Sequence, residues 1–162
     1  MKKSKAEIIE RLNTMNIDFE MIEHQAVFTI EDITALHLPK NAVVAKNLFV
    51  RDDKKRNYYL IALCEDKKVN FKSLQEKIGS RKLSFASEKD LNALLGLKQG
   101  AVSPFGILND QACKVQVLID TFFCDSLIGV HPNENTATVW LKTEDLIKLI
   151  QEHGNAVDWV EI

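Results

Sequence analysis

Two runs rich in β-branched and aromatic residues decide the reading of this chain: Ala42-Val43-Val44-Ala45-Lys46-Asn47-Leu48-Phe49-Val50 and Asn57-Tyr58-Tyr59-Leu60-Ile61-Ala62-Leu63-Cys64. They flank the polar stretch Asp52-Asp53-Lys54-Lys55-Arg56, so two strands joined by a charged hairpin turn are predicted. The flanks have a different period. Upstream, Ser4 and Glu7 form a capping box, and Ile8, Ile9, Leu12 and Met15 recur at helical spacing, predicting a helix over 5–15. Residues 19–24 read as a strand. Thr29 with Asp32 opens a short helix holding Ile33 and Leu36, stopped by Pro39. Downstream, helices are predicted over 70–78, closed by Gly79, and over 87–95, capped by Ser87 and closed by Gly96. A short strand at 82–86 lies between them. Strands follow at 114–120, 127–131 and 136–141. Thr143 is expected to cap a last helix carrying Leu146, Ile147, Leu149 and Ile150, ended by Gly154, before a closing strand at 156–160. Helices and strands mix without a regular βαβ rhythm, so the fold class is α+β: one domain over 1–162 with a mixed β-sheet.

Composition narrows the function. The 162 residues are 46% hydrophobic and 27% charged, which excludes a disordered tail or a coiled-coil rod. Lys and Arg total 21 against 23 Asp and Glu, for a net charge of −2. A protein that holds long nucleic acid by charge alone is basic, so any nucleic-acid contact must be short and local. Basic spots at Lys2-Lys3-Lys5, Lys54-Lys55-Arg56, Lys67-Lys68 and Arg81-Lys82 read first as solvated surface and second as RNA contacts. The start of the chain lacks the apolar core of a signal peptide, and no window approaches eighteen apolar residues, so no membrane partner is expected. Cys64, Cys113 and Cys124 form no CxxC pair and suit reduced thiols in the cytoplasm. Each is read as a buried, inert thiol. The Trp140 region is read as exposed and, like a sheet edge, as a surface that could support a dimer; the oligomeric state stays open.

No GxSxG, HExxH or GxxxxGK[ST] motif is present, and Asp52/Asp53 read as a solvated hairpin tip. Three segments are odd by structural rules. Lys46-Asn47 interrupts an apolar strand; alternation puts Val44, Lys46 and Leu48 on one face, so the ammonium either snorkels to water or enters a polar pocket. Gly100-Ala101-Val102-Ser103-Pro104-Phe105-Gly106 suggests a tight loop with exposed backbone groups. His131-Pro132-Asn133-Glu134-Asn135-Thr136 places an imidazole at a loop mouth, where Asn135 and Thr136 by default hydrogen-bond the turn backbone.

Taken in order over nearly the whole chain, these segments resemble the prolyl-tRNA editing family, the YbaK/ProX-type aminoacyl-tRNA deacylases. The specific elements are Lys46-Asn47, the Gly100-x-x-x-Pro104 loop with Phe105-Gly106, and the His131-Pro132-x-x-Asn135-Thr136 string, which is similar to the alanyl-tRNA(Pro) branch called PrdX or ProXp-ala. The resemblance implies a mixed sheet or partial barrel flanked by helices, and an enzyme that attacks the ester of mischarged alanyl-tRNA(Pro) with water in a small pocket. It assigns Lys46, Gly100 and His131 to catalysis and Asn47, Ala101, Val102, Ser103, Pro104, Asn135 and Thr136 to substrate binding. Lys46 would hold the 3′-terminal nucleotide, Asn47 would help position it, the loop would present backbone groups to the ester, and His131 would shape the pocket. The terminal ribose hydroxyl would assist the water, with no cofactor and no metal. Partners implied are the acceptor end of tRNA(Pro) carrying alanine, with a prolyl-tRNA synthetase or elongation factor as a further encounter. Two alternatives remain: a deacylase of cysteinyl-tRNA(Pro) with the same fold, and a non-catalytic aminoacyl-tRNA binding module.

Overall fold

A computed structural model describes residues 4–23, 43–134 and 136–162. The short helix expected between Thr29 and Pro39 lies outside them. The elements in chain order are α1 (Lys5–Thr14), β1 (Phe19–Glu23), β2 (Val43–Asp52), β3 (Tyr58–Cys64), α2 (Phe71–Ile78), β4 (Leu83–Phe85), α3 (Glu88–Leu95), β5 (Val115–Asp120), β6 (Leu127–Val130), β7 (Ala137–Lys142), α4 (Thr143–His153) and β8 (Val157–Val160). Two 3-10 segments, Pro104–Asn109 and Thr121–Phe123, precede and follow β5.

The helix boundaries follow from local chemistry. Ser4 accepts the Glu7 N–H while the Glu7 carboxylate accepts the Ser4 N–H, a complete capping box. Asn70 caps α2, and Ser87 caps α3. Thr143 does not cap α4. It is the first helical residue, buried, and its hydroxyl donates to the Ser126 carbonyl at 3.0 Å. The strand β7 runs directly into the helix, so there is no separate capping residue between them.

The sheet order is β1-β7-β6-β2-β3-β5-β8, with parallel pairs β6/β2, β3/β5 and β5/β8 and the other pairs antiparallel. The hairpin read from the sequence is present, with Arg51 opposite Tyr58. Its tip is less solvated than the charges suggest. Asp52 is buried and accepts the Arg56 N–H at 2.9 Å and the Asn57 side-chain amide at 2.8 Å, leaving Asp53 outside. One main core packs α1, α3 and α4 against a sheet face through Ile8, Leu12, Leu91, Leu95, Leu146 and Leu149. A smaller core under α2 joins Leu74 to Val50, Ile61, Leu63 and Leu118 on the other face.

Strand β2 organises the molecule because it has different partners along its length. Ala45–Arg51 pairs with β3 on one edge. On the other edge Val43 and Val44 pair with β6, while Val50–Asp52 pairs with β4. Between these two contacts lies a stretch of edge, centred on Lys46-Asn47, that no described strand covers. The parallel strands β2 and β6 start side by side and separate there, and diverging parallel strands open a crevice.

Candidate active site

The turn joining β6 to β7 spans residues 131–136. The His131 Nδ1 lies 2.9 Å from the Ala137 carbonyl. A carbonyl only accepts, so Nδ1 carries the proton, and in the neutral ring Nε2 is the acceptor. Ser103, fully buried, donates its hydroxyl to the His131 carbonyl and accepts the Phe105 N–H at 3.2 Å. The Asn133 amide donates to the Phe105 carbonyl at 3.4 Å. These bonds join the Gly100–Pro104 loop and the histidine turn into one unit.

The loop is tight at its start and buried at its end. Gly100 has φ +91, a conformation that an L side chain rarely adopts, although open space surrounds it. Pro104 begins the 3-10 segment, and Phe105 and Ile107 enter the main core. The side chains of Ser103 and Pro104 therefore face protein, while Gly100 is exposed and Ala101 and Val102 are half-buried. The exposed loop read from the sequence thus ends at Val102, because Phe105 needs apolar cover. Between loop and turn runs a cleft of about 370 Å³, lined by Gly96, Leu97, Lys98, Gln99, Ala101, Asn133 and Glu134. Sequence reasoning did not single out Lys98, Gln99, Asn133 or Glu134; their proximity to Gly100 and His131 was the available signal.

Thr136 donates its hydroxyl to the Glu134 carboxylate at 2.6 Å rather than to the turn backbone. That bond, with Lys5 at 3.3 Å, holds the Glu134 carboxyl below its ordinary range despite partial burial. Asn135 lies outside the described residues.

Lys46 and Asn47 emerge on opposite faces of β2. Val44 is level with Gly129 on β6, so alternation brings Lys46 and His131 to the same face, with Gly129 and Trp140. Lys46 is half-buried, and its ammonium lies 2.5 Å from the Lys67 carbonyl, in the turn after β3. Asn47 faces the main core side. Among the described residues its Oδ1 is buried without a partner, and its Nδ2 reaches the Ala45 carbonyl at 3.4 Å. Trp140, read from the sequence as exposed, is 2% exposed because its indole packs over Gly129; a Cβ there would lie 2.6 Å from Trp140 Nε1. That Nε1 is also buried without a partner among the described residues. Orphaned polar atoms are rare in folded interiors and ask for a functional or solvent explanation; two of them lie near this crevice.

Cys64 is buried at the end of β3. Cys113 and Cys124 are not buried, since both fall on turns, and the Cys124 thiol is pushed up by desolvation and by the Asp125 and Glu144 carboxylates. A larger cleft of about 480 Å³ lies at α1 and the end of α4, lined by Glu7, Glu10, Arg11, Thr14, Leu108, Gln111 and His153. None of the candidate residues lines it.

The comparison with known proteins falls on this same stretch of chain. Residues 24–149 match the aminoacyl-tRNA editing domain. The chain belongs to the aminoacyl-tRNA editing family. Aminoacyl-tRNA deacylation is the activity that goes with that membership. The chain is 44% identical, over 98% of both sequences, to the prolyl-tRNA editing protein ProX of Acetoanaerobium sticklandii. It is 26% identical to the multifunctional Ser/Thr-tRNA deacylase ProXp-y of Escherichia coli, over 89% of this chain and 86% of that one. Among solved structures, one assigned provisionally as a trans-editing enzyme for prolyl-tRNA synthetase superposes with a TM-score of 0.73 over 100% of this chain and 99% of that one. At 15% identity it supports the fold alone. No helix among the described residues is long and apolar enough to cross a membrane.

Proposed function

We propose that this deacylase acts in trans on alanyl-tRNA(Pro), releasing alanine by attack of water on the aminoacyl ester. The observation that carries the reading is the union of the Gly100–Pro104 loop with the His131 turn through Ser103 and Asn133, at the end of the sheet where no described strand covers part of the β2 edge. A rigid loop with exposed glycine backbone suits stabilisation of an oxyanion, an effect worth about 3–4 kcal/mol per N–H donor. His131, held by the Ala137 carbonyl, shapes the amino-acid pocket. Lys46, on the same face, holds the terminal nucleotide, and Asn47 assists from the neighbouring position. The terminal ribose hydroxyl orients the water, in keeping with the family resemblance.

The need for such an enzyme is energetic. A synthetic site built for proline excludes the smaller alanine poorly, because a missing methylene changes binding by only about 1–3 kcal/mol. A second site too small for proline then removes the error.

The test is single-turnover deacylation of alanyl-, cysteinyl-, prolyl-, seryl- and threonyl-tRNA with enzyme in excess. Rapid loss of alanine alone is expected. Preferred loss of cysteine, serine or threonine would move the specificity to that substrate. Background rates on all five would leave binding without turnover.

A further inference from the structure

Lys46 leads to a second feature at the same end of the sheet. The turn that receives its ammonium carries Lys67, whose own ammonium lies 2.8 Å from the Asp120 carboxylate and 5.5 Å from the centre of the Phe122 ring. Asp120 is fully buried, yet Phe122, two residues on, is 46% exposed. The Phe122 backbone N–H donates to Asp120 at 3.3 Å, and the ring's edge meets the buried Phe123 at 5.2 Å and 88°.

Strand register explains why these groups form a row. Ala45 is opposite Cys64 on β3, and Ala62 is opposite Ile119 on β5, so the ends of β3 and β5 are level with the start of β2. Two strand spacings separate β2 from β5, roughly 10 Å. A single exposed phenylalanine is ordinary. One set against a buried ring, with a cation over it, level with the lysine assigned to the terminal nucleotide, is a surface for flat, unpaired bases and their phosphates.

We propose that Phe122, with Lys67 over its ring and the exposed Lys68 next in sequence, is a stacking platform for the unpaired nucleotides that precede the terminal adenosine of the tRNA. The proposal rests on the deacylase reading above and extends it to the grip on RNA. It accounts for how a chain of net charge −2 holds an RNA end: stacking is indifferent to base identity and does not need a strongly basic field. Lys67 is already neutralised by Asp120, so the platform's contribution depends little on salt, whereas that of Lys46 falls as salt rises.

The experiment compares wild type, Phe122→Ala and Phe122→Trp on an alanyl ester of the CCA trinucleotide and on alanyl-adenosine. Phe122→Ala is expected to lower the ratio of kcat/KM for trinucleotide over adenosine roughly 5- to 100-fold, the loss of one stacked base, through KM. Phe122→Trp is expected to keep or raise that ratio. An unchanged ratio for Phe122→Ala overturns the platform, as does an equal loss on both esters. A wild type inert on both esters sinks the deacylase reading instead. The platform is then decided by binding of the uncharged CCA trinucleotide: weaker binding to Phe122→Ala supports it, and equal binding overturns it.

Discussion

The two ends of the sheet differ in how completely their buried polar groups are paired. At the hairpin end, Asp52 is buried with its acceptors filled by Arg56 and Asn57. Level with it, the buried Asp110 accepts the Val115 N–H at 2.9 Å and the Asn155 amide at 2.8 Å, and the same amide reaches the Val115 carbonyl. At the opposite end the buried Asp120 is likewise paired, with Lys67 and the Phe122 N–H, but Asn47 Oδ1 and Trp140 Nε1 are buried without a hydrogen-bond partner among the described residues, Lys46 bonds a turn carbonyl, and Phe122 is exposed. Satisfied polar groups lock a structure, whereas unsatisfied ones are maintained at a cost in stability. The hairpin end carries paired polar groups, and the opposite end carries the unpaired ones on which the proposed site rests.

Substitutions should therefore separate stability from activity according to the end they touch. The largest effect on stability is expected from Asn155→Ala, which strips the Asp110 carboxylate of a charge-assisted bond and leaves the Val115 carbonyl bare. A loss of about 2–4 kcal/mol in denaturant unfolding is expected, with the deacylation rate per folded molecule unchanged. A slowed reaction in that variant would break the division between the two ends. At the opposite end, Lys46→Ala should reduce kcat/KM about ten- to a hundred-fold, the worth of one charged hydrogen bond, with the deficit shrinking as salt is raised. His131→Ala should change the ratio of alanyl- to cysteinyl-tRNA turnover while the melting temperature stays close to that of the wild type. If Lys46→Ala and His131→Ala both keep wild-type rates and selectivity, the site assignment is wrong.

Asp52 sharpens the comparison through pH. Burial pushes its carboxyl up, but the hydrogen bonds from Arg56, Asn57 and Lys54 outweigh this and hold it below the ordinary value. A depressed carboxyl contributes stability above the unfolded-state pKa and loses it as pH falls through the folded one. Asp52→Asn should thus cost about 1–3 kcal/mol at pH 7. The difference from wild type should shrink below about pH 4, where the unfolded carboxylate takes up its proton. Equal stability of the two proteins at pH 7 would remove Asp52 from the locked end. The smallest effect is expected for Arg81→Ala. Its two bonds to Asp53, at 2.6 and 3.0 Å, are exposed, and such pairs contribute at most about 1 kcal/mol.

Residue order alone determined the local elements. Hydrophobic period and caps are short-range signals, so Ser4, Asn70, Ser87, Gly79 and Gly96 bound helices close to where the sequence puts them. The sequence also singled out Lys46, Gly100 and His131, because a lysine within an apolar run, a glycine-proline loop and a histidine at a strand end violate local preference. Tertiary structure decided what those residues do to one another. The burial of Asp52 and Trp140 and the union of the Ser103 hydroxyl with the His131 carbonyl depend on partners 4 to 28 residues away. The divergence of β2 from β6 and the row from Lys46 to Phe122 depend on strand register. Register is set by the packing of two cores on opposite faces, which no single stretch of the chain encodes.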